Sequence, residues 1–331
     1  MNRHLYLIIL GLLFFINPLL SQDFIFSQYF ASQPYLNPAM TGFFDGSYRV
    51  NAHYRNQWAT VGSGINTYGV NADVKLMENQ MDGDYIGLGV NAYRDDNGYT
   101  ANTISKINAS YTKKFGYNVD QFLSIGTNFG LNHDGLSTSG LIYPDQISED
   151  FQRKSIANFD LGLGVNYQVV FPNFANFFVG GSLDHIVSMK NSYFNNNESR
   201  EKRYNIYSSA RFKTSEIFYV LPTLLYVKQG IHSQINGGLM GQYLFNSYPE
   251  TKSTISAGIY ARFGNNAMDA LIGMVRYEYK GIQVGLSYDH NMNELNTVTK
   301  GLGAFELSLG FIGVIEKHFQ SRANCPNIKS F

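Results

Sequence analysis

The chain has 331 residues, of which 15% are charged and 15% aromatic, against about 25% charged in ordinary soluble domains. Lys plus Arg and Asp plus Glu balance at 25 each, so no basic surface argues for nucleic acid. A single cysteine, Cys325, excludes an intramolecular disulfide and a cysteine-based metal cluster.

Residues 1–21 read as a secretory signal peptide. Arg3 and His4 precede the apolar run Leu5 to Ile16, and Pro18 breaks it ahead of a cleavage site near Ser21 or Gln22. The run is too short for a membrane-spanning helix. No later run is long and apolar enough to span as a helix either. An exported chain of this kind is periplasmic, secreted, or a β-barrel.

Residues 22–45 are irregular. Pro34 and Pro38 exclude a continuous helix or ladder, and each pushes the residue before it to extended geometry. Phe26, Tyr29, Phe30, Tyr35 and Leu36 are too apolar for a free linker and would expose a large patch in water. The expectation is a plug or docking segment at a barrel mouth, with Phe26, Gln28, Tyr29, Phe30, Tyr35, Leu36, Asn37 and Pro38 as the residues that pack in the lumen or meet a partner. Asn37 before Pro38 fixes a turn. The alternative is an irregular lead-in to the first strand.

From Gly46 onward the chain alternates. Runs fall at 46–57, 65–75, 84–94, 101–113, 121–132, 157–170 and 174–187, then at 202–214, 218–228, 232–245, 253–263, 268–280, 281–290 and 303–317. The clearest hairpin sets Leu271, Gly273, Val275, Tyr277 and Tyr279 against Ile272, Met274, Arg276, Glu278 and Lys280, turns near Gly281, and resumes at Ile282. Successive strand side chains point to opposite faces, so such runs carry one apolar and one polar face. An even count of about 14 such strands predicts an all-β, antiparallel transmembrane barrel over 46–317, followed by a periplasmic tail at 318–331. The longest connections, 133–156, 188–201 and 291–302, are odd-numbered and fall on the outer side. Pro222 lies inside a run, and a bulge is the expected accommodation.

The polar faces supply candidate lumen charges at Arg49, Arg55, Arg276, Glu278 and Glu306, with Arg49, His53 and Arg55 expected beside Glu306 if the barrel closes. Mixed signs favour ion pairing over a selective ion path. Catalysis finds no support in the pattern. Asp184–His185 and Asp289–His290 are neighbours within runs, so each pair is expected to face opposite sides of the wall. Asp95, Asp96, Asn97 and Gly98 read as turn chemistry. The histidines show no metal-ligand spacing, and neither a catalytic residue nor a cofactor is expected.

Phe26-Ser27-Gln28-Tyr29, Leu36-Asn37-Pro38-Ala39 with Gly42, and Tyr54-Arg55-Asn56-Gln57-Trp58 together resemble the PorP/SprF family of type IX secretion and gliding systems. Asp145-Gln146-Ile147, Leu224-Leu225-Tyr226, Lys228-Gln229-Gly230, Ile282 to Asp289 and Cys325-Pro326 extend the likeness over nearly the whole chain, with departures at Met40 and at Tyr143-Pro144. The resemblance implies a non-enzymatic outer-membrane component that sits in lipid, binds or anchors a large secreted adhesin or other type IX cargo, and connects to periplasmic components. Cys325, beyond the last strand, is the candidate contact of the tail with such a component. The competing reading from the residues is a diffusion channel for small or apolar solutes.

Overall fold

The computed structural model describes residues 23–315, apart from residues 60–63, 79, 117–118, 138–154, 173, 190–198, 247–252, 266 and 294–295. The expected leader, the tail and Cys325 lie outside the described residues. Fourteen strands, each antiparallel to its neighbours, close into a barrel. They are β1 (Tyr48–Gln57), β2 (Ile65–Leu76), β3 (Tyr85–Asp96), β4 (Thr100–Phe115), β5 (Asp120–Leu136), β6 (Ser155–Phe171) and β7 (Ala175–Asp184) in the first half. The second half holds β8 (Arg203–Lys213), β9 (Phe218–Gln229), β10 (His232–Asn246), β11 (Ser253–Phe263), β12 (Met268–Tyr279), β13 (Ile282–Asn291) and β14 (Leu302–Gly313). Closure comes from β1 against β14, in a register running from Tyr48↔Gly313 to Gln57↔Ala304.

The period of two decides which way each side chain points. On β12, Leu271, Val275 and Tyr277 are 41 to 48% exposed on the outside, whereas Ile272 and Met274 are at most 5% exposed on the inside. Exposed Val, Ile, Leu and Phe recur on the outer face around the ring, giving the apolar band that a lipid environment requires. On β14 the outer positions are Phe305, Leu309 and Phe311, and Glu306 and Ser308 point inward. The β12–β13 hairpin turns through Lys280 and Gly281 at φ of 49° and 81°. Two consecutive left-handed residues make the tight turn whose twist matches the strands, and glycine removes the steric cost at the second.

Pro222 does not create the expected bulge. The β9–β10 register runs through Leu239↔Pro222 without a shift. On the other side, β8–β9 pairing stops at Ser209↔Thr223 and resumes at Phe212↔Val220 with the same offset. The missing N–H interrupts one ladder locally and leaves its register intact. The register shifts that do occur lie at Leu244/Asn246, Arg262/Phe263 and Asp289/His290.

Residues ahead of β1 fill the lumen. A 3-10 turn over Tyr29–Ser32, a short helix α1 (Gln33–Leu36) and a second 3-10 turn over Pro38–Met40 follow one another, with proline at the start of the last two. Proline's fixed φ suits a first helical turn, where its missing N–H leaves nothing unpaired. Asn37 caps the second turn by accepting from the Ala39 N–H at 2.8 Å. The segment runs the length of the barrel. Its start meets the ends of β7 and β9, where the Asp23 N–H donates to Gln229 Oε1 at 2.9 Å. Its finish places Phe43 and Phe44 near Phe178 and Lys75, at the mouth where β1 begins and β14 ends. With an even strand count and the long odd-numbered connections at the opposite mouth, that finishing mouth is the one expected on the periplasmic side, and the opposite one is called the outer mouth.

Candidate functional site

The candidate site is the lumenal segment together with the wall that grips it. Phe26, Tyr29, Tyr35, Leu36, Asn37 and Met40 are all buried, and so is Gln28. Phe30 is the half-buried member, resting beneath the Arg276 guanidinium at 5.7 Å. Burying this much polar backbone and charge is costly without partners, and the wall supplies many of them in three clamps.

The first clamp lies near the outer mouth, where the ends of the barrel sheet meet. Glu306 on β14 accepts the Ser27 N–H at 2.7 Å and the Gln28 N–H at 2.9 Å. The same carboxylate pairs with Arg55, its register partner on β1. Asp289 accepts from Ser27 Oγ at 2.8 Å, from Arg262 at 2.7 Å and from Arg55 at 3.2 Å. The Gln28 amide spans Ser287 Oγ at 3.2 Å and Ser308 Oγ at 2.7 Å.

The second clamp is at midheight and centres on Asn37. Its Nδ2 donates to the carbonyls of Val165 (3.0 Å) and Gly181 (3.1 Å) and to Tyr207 Oη (2.8 Å). Leu36 O accepts from Ser182 Oγ at 2.7 Å and from Asn205 Nδ2 at 3.1 Å. The segment could not lie this close to the wall against ordinary side chains. A β-carbon on Gly164 would land on the Asn37 amide, one on Gly126 would land on the Ala39 backbone, and one on Gly87 would land on Thr41 O. Nearer the mouth where β1 begins, Asp73 accepts from the Gly42 N–H at 2.8 Å and holds Arg49 at 2.7 Å, and Arg49 also donates to Gln33 Oε1.

The third clamp holds the start of the segment at the outer mouth. Asp23 meets His185 Nε2 at 2.6 Å and Arg200 at 3.3 Å, and the other His185 nitrogen meets Asp160 at 3.1 Å. Lys106 bridges Asp160 at 2.8 Å and Asp184 at 2.9 Å. Burial works against the His185 charge, but Asp23 and Asp160 outweigh it and push the imidazole up to about 9. An aromatic stack completes the mouth: Phe24 lies parallel to Tyr35 at 5.0 Å, with Phe26 and Tyr93 beside them.

The inward charges differ from the sequence expectation in their pairing. Of Arg49, His53 and Arg55, only Arg55 contacts Glu306; Arg49 pairs with Asp73, and His53 packs on Phe26 at 5.2 Å. Arg276 donates to Gln283 at 2.5 Å and, like Glu278, points inward. Asp184 and His185 do not face opposite sides. His185 lies just past the end of β7 with φ of 59°, which breaks the alternation and turns both side chains into the lumen. They still form no dyad with each other, because His185 is engaged by Asp23 and Asp160. Asp160, Lys106, Arg200 and Arg262 belong to the site without having been candidates, and Ser27 and Asp289 enter it from a motif and a doublet to which sequence assigned no lumenal role. For Asp160, Lys106, Asp289 and Arg262 the signal was a charge on the inward parity of a strand. Between the segment and the wall of β8–β12 a cavity of about 50 Å³ remains, lined by Tyr29, Phe30, Met40, Leu221, Met240 and Tyr260 among others. Among the described residues no cluster could hold a metal ion.

A closed barrel with an outward apolar band and its own chain packed through the lumen defines an outer-membrane β-barrel protein with an internal plug. The chain belongs to the type IX secretion system membrane protein PorP/SprF family, whose model matches residues 19–311. It is therefore an outer-membrane component of that secretion system. Among solved structures it is similar to CdiB from Escherichia coli, at 7% identity and a TM-score of 0.46, over 79% of this chain and 63% of CdiB. It is also similar to the Ralstonia pickettii toluene transporter TbuX, at 8% identity and a TM-score of 0.49, over 83% of this chain and 91% of the transporter. A bacterial polysaccharide outer membrane secretin aligns at 11% identity and a TM-score of 0.39, over 81% and 99% of the two chains. No curated protein matches the chain.

Proposed function

We propose that this protein is a plugged, non-enzymatic anchor: it holds a secreted type IX cargo, such as a gliding adhesin, at the cell surface and connects to periplasmic machinery. The observation that carries the reading is the occupied lumen. Residues 23–44 spend their apolar and polar groups on the barrel wall, through Glu306, Asn37, Asp73 and Asp23, so the interior serves as a rigid core instead of a solute path. Phe26, Tyr29, Tyr35 and Leu36 are buried against that wall, which makes the segment a structural plug and leaves the two mouths as the surfaces for partners. The alternative of a diffusion channel would need a continuous route, and the cavity beside Tyr29 is only a few water molecules in size.

Two measurements test this. Affinity purification of the tagged protein from native membranes is expected to recover a large secreted adhesin together with periplasmic type IX components. In planar bilayers the intact protein is expected to be silent, and deletion of residues 24–42 to open a conductance. A steady conductance in the intact protein, with no cargo recovered, would overturn the anchor in favour of the channel.

A further inference from the structure

The barrel wall contains one pairing unlike the rest. Every other pair of adjacent strands is also adjacent in sequence, whereas β1 and β14 are the two ends of the sheet and must find each other across the whole chain. The entropy of closing a loop rises with its length, and no turn brings these two strands together. The lumenal segment sits on this seam. Ser27 and Gln28 bind β14 through Glu306 and Ser308, and β13 through Asp289 and Ser287. The same short stretch binds β1: Arg55 donates to Ser27 Oγ at 2.9 Å, Phe26 packs on His53, and Arg49 reaches Gln33 and Met40 O. The segment is also covalently continuous with β1, so any grip it takes on β14 holds the two seam strands at high effective concentration.

We infer that residues 26–33 act as an internal template that closes the barrel, by docking on β13 and β14 and presenting β1 to them in the register that sets Arg55 opposite Glu306. This function is independent of what the barrel anchors. Glu306 is the pivot, because its two oxygens take two backbone N–H groups of the segment and it also pairs with the β1 guanidinium. Among the described residues the cation that pairs with Glu306 is Arg55, so the β14 carboxylate lacks its ion pair until β1 arrives, and its two N–H donors until the segment does.

The test follows seam closure directly. In a Cys325→Ser background, Ala52→Cys with Leu309→Cys places two outward thiols at register partners across β1 and β14, and Val275→Cys with Leu286→Cys does the same within the β12–β13 hairpin. Disulfide formation is timed as the protein refolds from urea into lipid vesicles. Deleting residues 24–42 is expected to slow the seam disulfide by about tenfold or more, by loss of effective concentration, and to leave the hairpin disulfide unchanged. A synthetic peptide of residues 23–44 added in trans is expected to restore part of the rate. Glu306→Gln, in the otherwise intact chain, is expected to slow the seam, whereas Arg211→Gln, which removes a buried charge on β8 that bonds Gln242 of the wall, is not. A seam that closes at the unmodified rate without the segment would overturn the inference. So would equal slowing by Glu306→Gln and Arg211→Gln, which would reduce the effect to general stability.

Discussion

Asn37 and the glycines facing it decide how closely segment and wall can approach. Replacing Asn37 with Ala strands the donors' partners, including two carbonyls in a water-poor lumen, and is expected to cost roughly 2–4 kcal/mol. Asn37→Asp should be at least as damaging despite its near-identical shape, because a carboxylate would face the Val165 and Gly181 carbonyls with nothing to donate. The measurement is the temperature at which the folded form loses its fast gel mobility; better tolerance of Asp than of Ala would reverse the donor assignment. Glycine gives a matched pair. Gly164→Ala drives a methyl into the Asn37 amide and should cost about 1–3 kcal/mol. Gly273→Ala, on the outer face with nothing within 4 Å, should be neutral or stabilise by up to about 1 kcal/mol.

At the scale of elements, the strands were legible and their contents were not. Alternation from Leu271 to Tyr288 reports directly which side chains face lipid, because the period of two is a local property of the backbone. What binds Ser27 is a residue 279 positions away, and no local pattern records that. His185 shows the limit sharply: a single left-handed residue at the end of β7 resets the parity, so a neighbour expected on the far side of the wall becomes the anchor of Asp23. The inward glycines at 126 and 164 were visible as part of the alternation, but a missing side chain does not say what takes its place. The His185 cluster also predicts a pH response. Its folded pKa of about 9 lies above the unfolded value near 6.5. The stabilisation is therefore complete below about pH 6.5 and is lost as pH rises through about 9. Hydrogen exchange at Phe24 to Ser27 is expected to accelerate across that window, and His185→Gln, which stays neutral throughout, should flatten the response.

For the whole molecule, the direction of the segment fixes the mouth at which Asp23 sits. Asp23 is held at the mouth opposite the one where β1 starts and β14 ends. If the barrel ends face the periplasm, as the strand count leads one to expect, Asp23 is expected at the cell-surface mouth. An epitope placed immediately before Asp23 should be labelled by antibody on intact cells, and one placed after Gly313 should need permeabilised cells. Labelling of the second tag alone would invert the barrel.

The glycines that receive the segment have a consequence for ancestry. The outline of residues 37–41 is written twice, once as a cast in the segment and once as a mould in Gly87, Gly126 and Gly164. Neither copy can change shape alone. Within the family, a bulkier wall at one of these positions should arrive with a shorter or shifted segment, and a chimera that exchanges one copy without the other should fail to fold.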